Sequence, residues 1–235
     1  VIYDISNPSK PEEVSRWWLK GQNVAAGEEP HPLGKGHRLH HALRCGDQMY
    51  AGCWDTGYAI IDISDITKPK TLSTFDPHPP AAEPSHTLLK IPNPIGGRDI
   101  ALATDEERSN RGDDEGKPHA PLYVFDVTDP TDMKLIHTHH VSEDASPYNG
   151  KGMRFGAHQF REIIEDNTAF VTWFAAGLRI LNFSNPEEPE ELGYFIPQPG
   201  DRQMSPQTND VEMDDRGLLY ITDKAHGFDV IEFSG

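Results

Sequence analysis

Positive charge is scarce in this chain. Its 21 Lys and Arg residues face 38 Asp and Glu, a formal net charge of -17. Nucleic-acid phosphates are held by Lys and Arg, so no nucleic-acid partner is expected, and no membrane partner either, since anionic lipid surfaces make the same demand. No apolar run is long enough to cross a bilayer. Cysteine is scarce too. Cys45 and Cys53 flank one tight hairpin, with Cys45 opposite about Met49 and Cys53 opposite about His41. That register excludes a disulfide between them and leaves the redox compartment open. No stretch sustains a helical period. A serine nucleophile elbow, a phosphate-binding glycine loop and a zinc cysteine pair are all missing.

What the chain has is a recurring phrase. Val1-Ile2-Tyr3-Asp4-Ile5-Ser6-Asn7-Pro8 returns as Ile60-Ile61-Asp62-Ile63-Ser64-Asp65 and as Tyr123-Val124-Phe125-Asp126-Val127-Thr128-Asp129-Pro130. It returns again as Arg179-Ile180-Leu181-Asn182-Phe183-Ser184-Asn185-Pro186, and more weakly as Asp229-Val230-Ile231-Glu232-Phe233-Ser234. Intervals of 50 to 64 residues indicate repeated supersecondary units that bury their faces against one another.

Each short apolar run reads as a strand buried on both faces. The Ser/Thr-Asn/Asp-Pro after it reads as a turn. A more polar strand follows, at 13–19, 71–76, 134–139 and 191–196, and an antiparallel pair such as 41–45 with 48–54 precedes it. The units are therefore four-stranded, and the fold class is all-β: a β-propeller of four-stranded antiparallel blades. The chain covers about four and a half blades, at about 1–20, 40–77, 85–142, 157–197 and 208–235, in one domain. Because it opens and closes within third strands, the expectation is the C-terminal portion of a longer propeller. Missing N-terminal blades or another chain would then complete the ring.

The five phrases, with Pro11, Pro69 and Pro189 after three of them, resemble the LVIVD-repeat family of bacterial β-propellers. Met133 departs from the pattern where a fourth such proline would fall. The resemblance implies the fold and favours an extracytoplasmic setting; it implies no particular reaction. Propeller metalloenzymes with axial histidines, such as carotenoid oxygenases and methanethiol oxidases, are similar in that one respect.

Aligning the first strands as His40-His41-Ala42-Leu43, Ser85-His86-Thr87-Leu88, Ala157-His158-Gln159-Phe160 and Thr208-Asn209-Asp210-Val211 puts His41, His86, His158 and Asn209 in one slot. First strands lie innermost in a propeller, so three imidazoles converge. Imidazole suits Fe, Cu and Zn, which makes His41, His86 and His158 candidate ligands of one transition-metal ion. Asn209 would leave a coordination position open. The loops after the second strands bring Trp54, Trp173 and Phe174 to the same mouth, where they and Asn209 are the substrate-binding candidates, Trp54 being equivalent to Trp173. Asp55, Glu106 and His226 are the acid–base candidates. Asp55, Glu106, Glu162 and Asp210 could each fix the second nitrogen of a ligating imidazole. The expected function is a metal-dependent enzyme acting on a small organic substrate. The alternative is a non-catalytic propeller that binds a protein or glycan through the same loops. Asp4, Asp62 and Asp126 are expected to serve the turns. The Arg111-Gly112-Asp113 tripeptide and the acidic run 113–116 are read as solvated loop, and His137, His139 and His140 as surface residues.

Overall fold

The structure is a computed structural model that describes residues 1–108, 118–151, 153–201, 203–224 and 226–234. Arg111 to Gly116 therefore lie outside the described residues. Among the described residues, sixteen strands are joined by loops and three single-turn 3-10 segments. β1 (Ile2–Asp4) and β2 (Glu12–Ser15) form a pair. β3 (His37–Cys45), β4 (Gln48–Trp54), β5 (Tyr58–Asp62) and β6 (Lys70–Phe75) form a complete antiparallel blade. β7 (Ser85–Lys90), β8 (Ile100–Asp105), β9 (Leu122–Asp126) and β10 (Lys134–His139) form the next. One backbone pair, Trp54 with Ser85, links these two blades.

Three strands, β11 (Thr168–Trp173), β12 (Gly177–Asn182) and β13 (Glu190–Phe195), make the core of the fourth unit. Its expected first strand, 157–161, follows β11 without becoming a regular ladder. His158 N–H donates to Thr172 O (2.9 Å), and Arg161 N–H donates to Phe170 O (2.9 Å). β14 (Thr208–Met213), β15 (Leu218–Asp223) and β16 (Gly227–Glu232) form the last sheet. The chain is thus an all-β propeller of several blades.

Successive side chains of a strand point to opposite faces, and here both faces are covered. Tyr58 and Ile60 of β5 pack on Leu88, Ala101 and Phe125 of the following blade. Ala59 and Ile61 of the same strand pack the other way, with Leu19. Two further clusters repeat this between the third and fourth units and between the fourth and fifth. Burial on both faces is why the phrase is almost continuously apolar. At about 25 cal/mol per Å² of apolar surface, these inter-blade clusters are the main stabilising term.

The Asp or Asn ending each phrase caps the turn after it. Asp4, Asp62, Asp126 and Asn182 accept backbone N–H bonds from Ser6, Ser64, Thr128 and Ser184 at 2.8–2.9 Å. Three residues on, Asn7, Asp65, Asp129 and Asn185 do the same for the residue two positions later. The bond from the Ser64 N–H holds the Asp62 carboxyl below its ordinary range. The cysteine hairpin is one residue tighter than the sequence suggested. Cys45 pairs with Gln48, leaving Gly46 and Asp47 as a two-residue turn, and both thiols are free.

Candidate metal centre

Strand register places the site residues in layers. Gly52, Thr104, Thr172 and Thr222 each pair with the third-strand residue four before the repeat's Asp, Asn or Glu: Tyr58, Leu122, Leu178 and Phe228. On their other side they meet His41, Thr87, Gln159 and Asp210 of the first strands. His40, His86, His158 and Asn209 come one residue earlier and share the neighbouring layer. The His40-His41 doublet permits two alignments, and the register puts His40, not His41, level with His86 and His158. The bulge in β3 between His37 and His41 lies at this point.

The histidine rings of this layer are in contact. Ring centroids are 4.5 Å apart for His40 and His86, and 4.4 Å for His86 and His158. All three Nε2 atoms face Glu106. His40 and His86 lie 3.9 Å from Oε2, and His158 lies 3.7 Å from Oε1. Arg154 Nη1 donates to Oε1 at 3.1 Å. One ligand atom from each of His40, His86 and Glu106 lies within 4.8 Å of the other two, a group able to hold a metal ion. Two ligands each about 2.1 Å from one ion are at most about 4.2 Å apart, so the imidazole–carboxylate spacings already meet that limit.

The second nitrogens settle the tautomers. His158 Nδ1 lies 2.6 Å from the backbone oxygen of Asn209. A carbonyl only accepts, so Nδ1 carries the proton and Nε2 presents a lone pair. Thr87 gives its single hydroxyl proton to Gln159 Oε1 at 2.7 Å. Its oxygen therefore accepts from His86 Nδ1, at 2.6 Å, and the His86 Nε2 is likewise a lone pair. Both residues are 7% exposed. Burial, and then the neighbouring His158, hold His86 down to about 2; burial holds His158 down to about 4. Glu106 is pushed up by its own burial, against the pull of Arg154.

Each slot's backbone is gripped by the preceding blade. Thr104 and Thr172 donate hydroxyl bonds to the carbonyls of His158 (2.7 Å) and Asn209 (3.0 Å). At the same place in the earlier blade, Gly52 lies against the His86 carbonyl so closely that a Cβ would fall 2.0 Å from its oxygen.

Two positions beyond these residues come Trp54, Glu106, Phe174 and Lys224, and this set lines the mouth. Trp54 stacks on His40 with centroids 4.6 Å apart, and Phe174 on His158 at 4.8 Å. Trp54 holds this position with a left-handed φ of 53°, a conformation that costs a bulky residue free energy. Trp173 is one residue off this set. It is 1% exposed and packs in the core, edge-on to His139. Its structural equivalents are the buried Cys53, Asp105 and Asp223, and Trp54 matches Phe174 instead.

The remaining candidates lie around this centre. His41 is in the layer beneath, with Nδ1 3.1 Å from Thr87 Oγ1 and Nε2 3.2 Å from Glu162. Asp210 occupies the same layer in β14. Asp55 pairs with Arg108. His226 is exposed, and its backbone N–H donates to Asp223. Neither Asp55 nor His226 forms a hydrogen bond or ion pair with the histidine group among the described residues. Asn209 contributes its backbone carbonyl, while its side-chain oxygen is buried without a partner. His40, Thr87, Gln159 and Arg154 were not singled out from sequence as site residues. The available signal was the doublet His40-His41 and the polar residue after each slot histidine.

The β-propeller defined by this fold is shared with two solved structures at low identity. The computationally designed Ika4 protein is 10% identical with a TM-score of 0.52, over 88% of this chain and 95% of that one. KlAtg21, solved in complex with the coiled coil of AgAtg16, is 12% identical with a TM-score of 0.55, over 84% of this chain and 53% of that one. The chain therefore spans about half the length of KlAtg21, and at these identities the likeness is one of fold alone. Within the fold, the sequence matches the LVIVD repeat over residues 1–17 and 45–76, which contain the phrases ending in Asp4 and Asp62. No curated protein sequence matches the chain.

Proposed function

We propose that this propeller is a metal-dependent enzyme. One ion is held by His40, His86 and Glu106, with His158 as the next donor on the second carboxylate oxygen, and a small organic substrate enters between Trp54 and Phe174. One observation carries the reading. Two buried imidazoles, each with its Nδ1 proton committed elsewhere, direct their Nε2 lone pairs at one partly buried carboxylate. Arg154 satisfies only Oε1, so the lone pairs and Oε2 oppose one another unless a cation or a hydrogen-bond donor lies among them, and a cation answers all of them at once. Neutral imidazole and carboxylate form the donor set of Fe, Cu and Zn sites. Such an ion supplies Lewis-acid polarisation or an activated water. The chain's own residues orient the donors, and the aromatic walls limit the water that reaches them.

Elemental analysis of the purified protein tests this directly. About one transition-metal ion per chain is expected. His86→Ala and His158→Ala should each lose most of it while keeping a cooperative melt, since the blades are held by the inter-blade clusters rather than by this layer. A protein without metal, or a His86→Ala variant with full occupancy, would leave the interaction-module reading in its place.

A further inference from the structure

Cations gather at the mouth of this site. Arg38 lies over the Trp54 ring with its guanidinium carbon 4.7 Å from the centroid, and Arg108 lies over the same ring at 5.7 Å. On the opposite wall Arg154 lies over Phe174 at 3.8 Å. Lys224 follows β15, and its backbone N–H donates to the carbonyl of Gln207. Gln207 is bonded in turn to Arg154. The Lys224 charge is felt at Glu106, His86 and His158. Glu106 pairs with Arg154 and Asp55 with Arg108, and further carboxylates lie close by: Glu83 accepts the Arg108 backbone N–H, Asp223 accepts the Gln207 backbone N–H, and the Glu107 charge is felt at Arg154. Arg38 and Lys224 are exposed and form no ion pair with a carboxylate among the described residues. Acidic groups resume further along the first strands, at Glu162, Asp210 and Glu212.

In a chain of net charge -17, two exposed cations at one mouth with no ion pair among the described residues are available to an anionic ligand. The distant acidic surface does not cancel them. Screening at about 0.1 M salt removes interactions beyond about 10 Å, while groups a few Å from a ligand keep theirs. Arg38 sits on the face of Trp54, an arrangement that suits an anionic head on an organic body, since a guanidinium held through its flat face keeps its donor edge for that head.

We propose that the substrate is a small organic carboxylate, its anionic end drawn to the mouth by Arg38 and Lys224 and its apolar part set between Trp54 and Phe174. This rests on the reading of the site as a substrate-binding mouth, and it names the substrate class.

The test uses the full chain, as purified, with benzoate and benzamide as probes of nearly equal shape and opposite charge state. Inorganic phosphate is the competing anion, binding is followed by calorimetry, and metal content is measured in parallel. Benzoate should bind at least tenfold more tightly than benzamide and than phosphate, and less tightly as salt rises. The Arg38→Gln/Lys224→Gln double variant changes only exposed side chains. It should lose at least tenfold in benzoate affinity with its metal content unchanged. Equal binding of benzoate and benzamide, preference for phosphate, or an unaltered double variant overturns the proposal. A protein that holds no metal yet selects benzoate through Arg38 and Lys224 overturns the metal reading alone and upholds this one.

Discussion

Thr87 shows how a single hydroxyl can define a metal ligand. It is fully buried, and it has one proton to give and two lone pairs to offer. The proton goes to Gln159, so the lone pairs are left for His86 and His41. Removing the hydroxyl while keeping the shape isolates this role. Thr87→Val should leave the fold intact and weaken metal binding by about 10- to 100-fold, the range seen when outer partners of ligating histidines are lost. A competition titration against a chelator of known affinity measures it; an unchanged constant would mean that the tautomer is set elsewhere. Much of this layer was legible in sequence, because His86 and His158 recur before a polar residue and an apolar one. From sequence the apolar residue two positions on favours His41 over His40, since Leu43 then aligns with Leu88. The structure instead aligns Ala42 with Leu88, since Ala42 pairs with Ala51 as Leu88 pairs with Ala103. A bulge is invisible in residue types, and a one-residue slip moves every side chain to the other face. Trp173 and Trp54 also differ by one position, but in ladders without a bulge: Trp54 lies eight residues before Asp62 and Trp173 nine before Asn182, a difference the sequence itself carries.

The strand that carries His86 is held by an absence. Gly52 of β4 leaves room for the His86 carbonyl, and an added methyl would meet backbone atoms at 2.0 and 2.4 Å. A flexible side chain could yield at that distance, but a strand paired along its length to β8 cannot do so locally. Gly52→Ala should therefore displace β7. The expected destabilisation is of order 1–3 kcal/mol, as for an overpacked core, together with reduced metal occupancy. Chemical denaturation and metal analysis of one preparation check both effects. A variant with native stability and full occupancy would show that β7 can shift freely. The element scale was the most readable in sequence. The third strands β5, β9 and β12 are apolar on both faces and end in Asp or Asn because both faces are buried and the turn needs an acceptor for its N–H; β1 and β16 carry the phrase while largely exposed. The first strand of the fourth unit was harder to foresee. Residues 157–161 bond to β11 through only a few backbone groups, and the slot there is held from outside by the Thr104 hydroxyl.

For the whole molecule, the buried titratable groups set a definite response to acid. His158 is held at about 4 and His86 at about 2, and His139, behind the blade beside Trp173, is also held at about 4, each chiefly by burial. Their unfolded counterparts titrate near 6.5. Below that pH the unfolded chain binds protons that the folded chain refuses, so stability falls as pH falls. Asp105 acts in the opposite sense. It is fully buried, accepts bonds from Tyr58, Tyr123 and Ser85, and is pushed up to about 6 by burial. Between its unfolded value near 3.8 and about 6, it binds a proton more tightly when folded, which offsets one histidine. Glu106 and Asp210 are raised like Asp105, and His37, His40 and His140 are lowered like the three histidines above, so the balance still favours the histidines, six against three. The metal-free protein should therefore lose stability from about pH 6.5 down to about pH 4. Each uncompensated proton contributes about 1.4 kcal/mol per pH unit at most, and the observed slope should be of that order. Urea midpoints measured with chelator at pH 7, 6, 5 and 4.5 give the slope. Removing the imidazoles should flatten it, so the His86→Asn/His158→Asn double variant should show a markedly shallower decline. A midpoint independent of pH across this window would mean that the imidazoles are charged in the folded protein, and the lone-pair geometry on which the metal site rests would be lost with it.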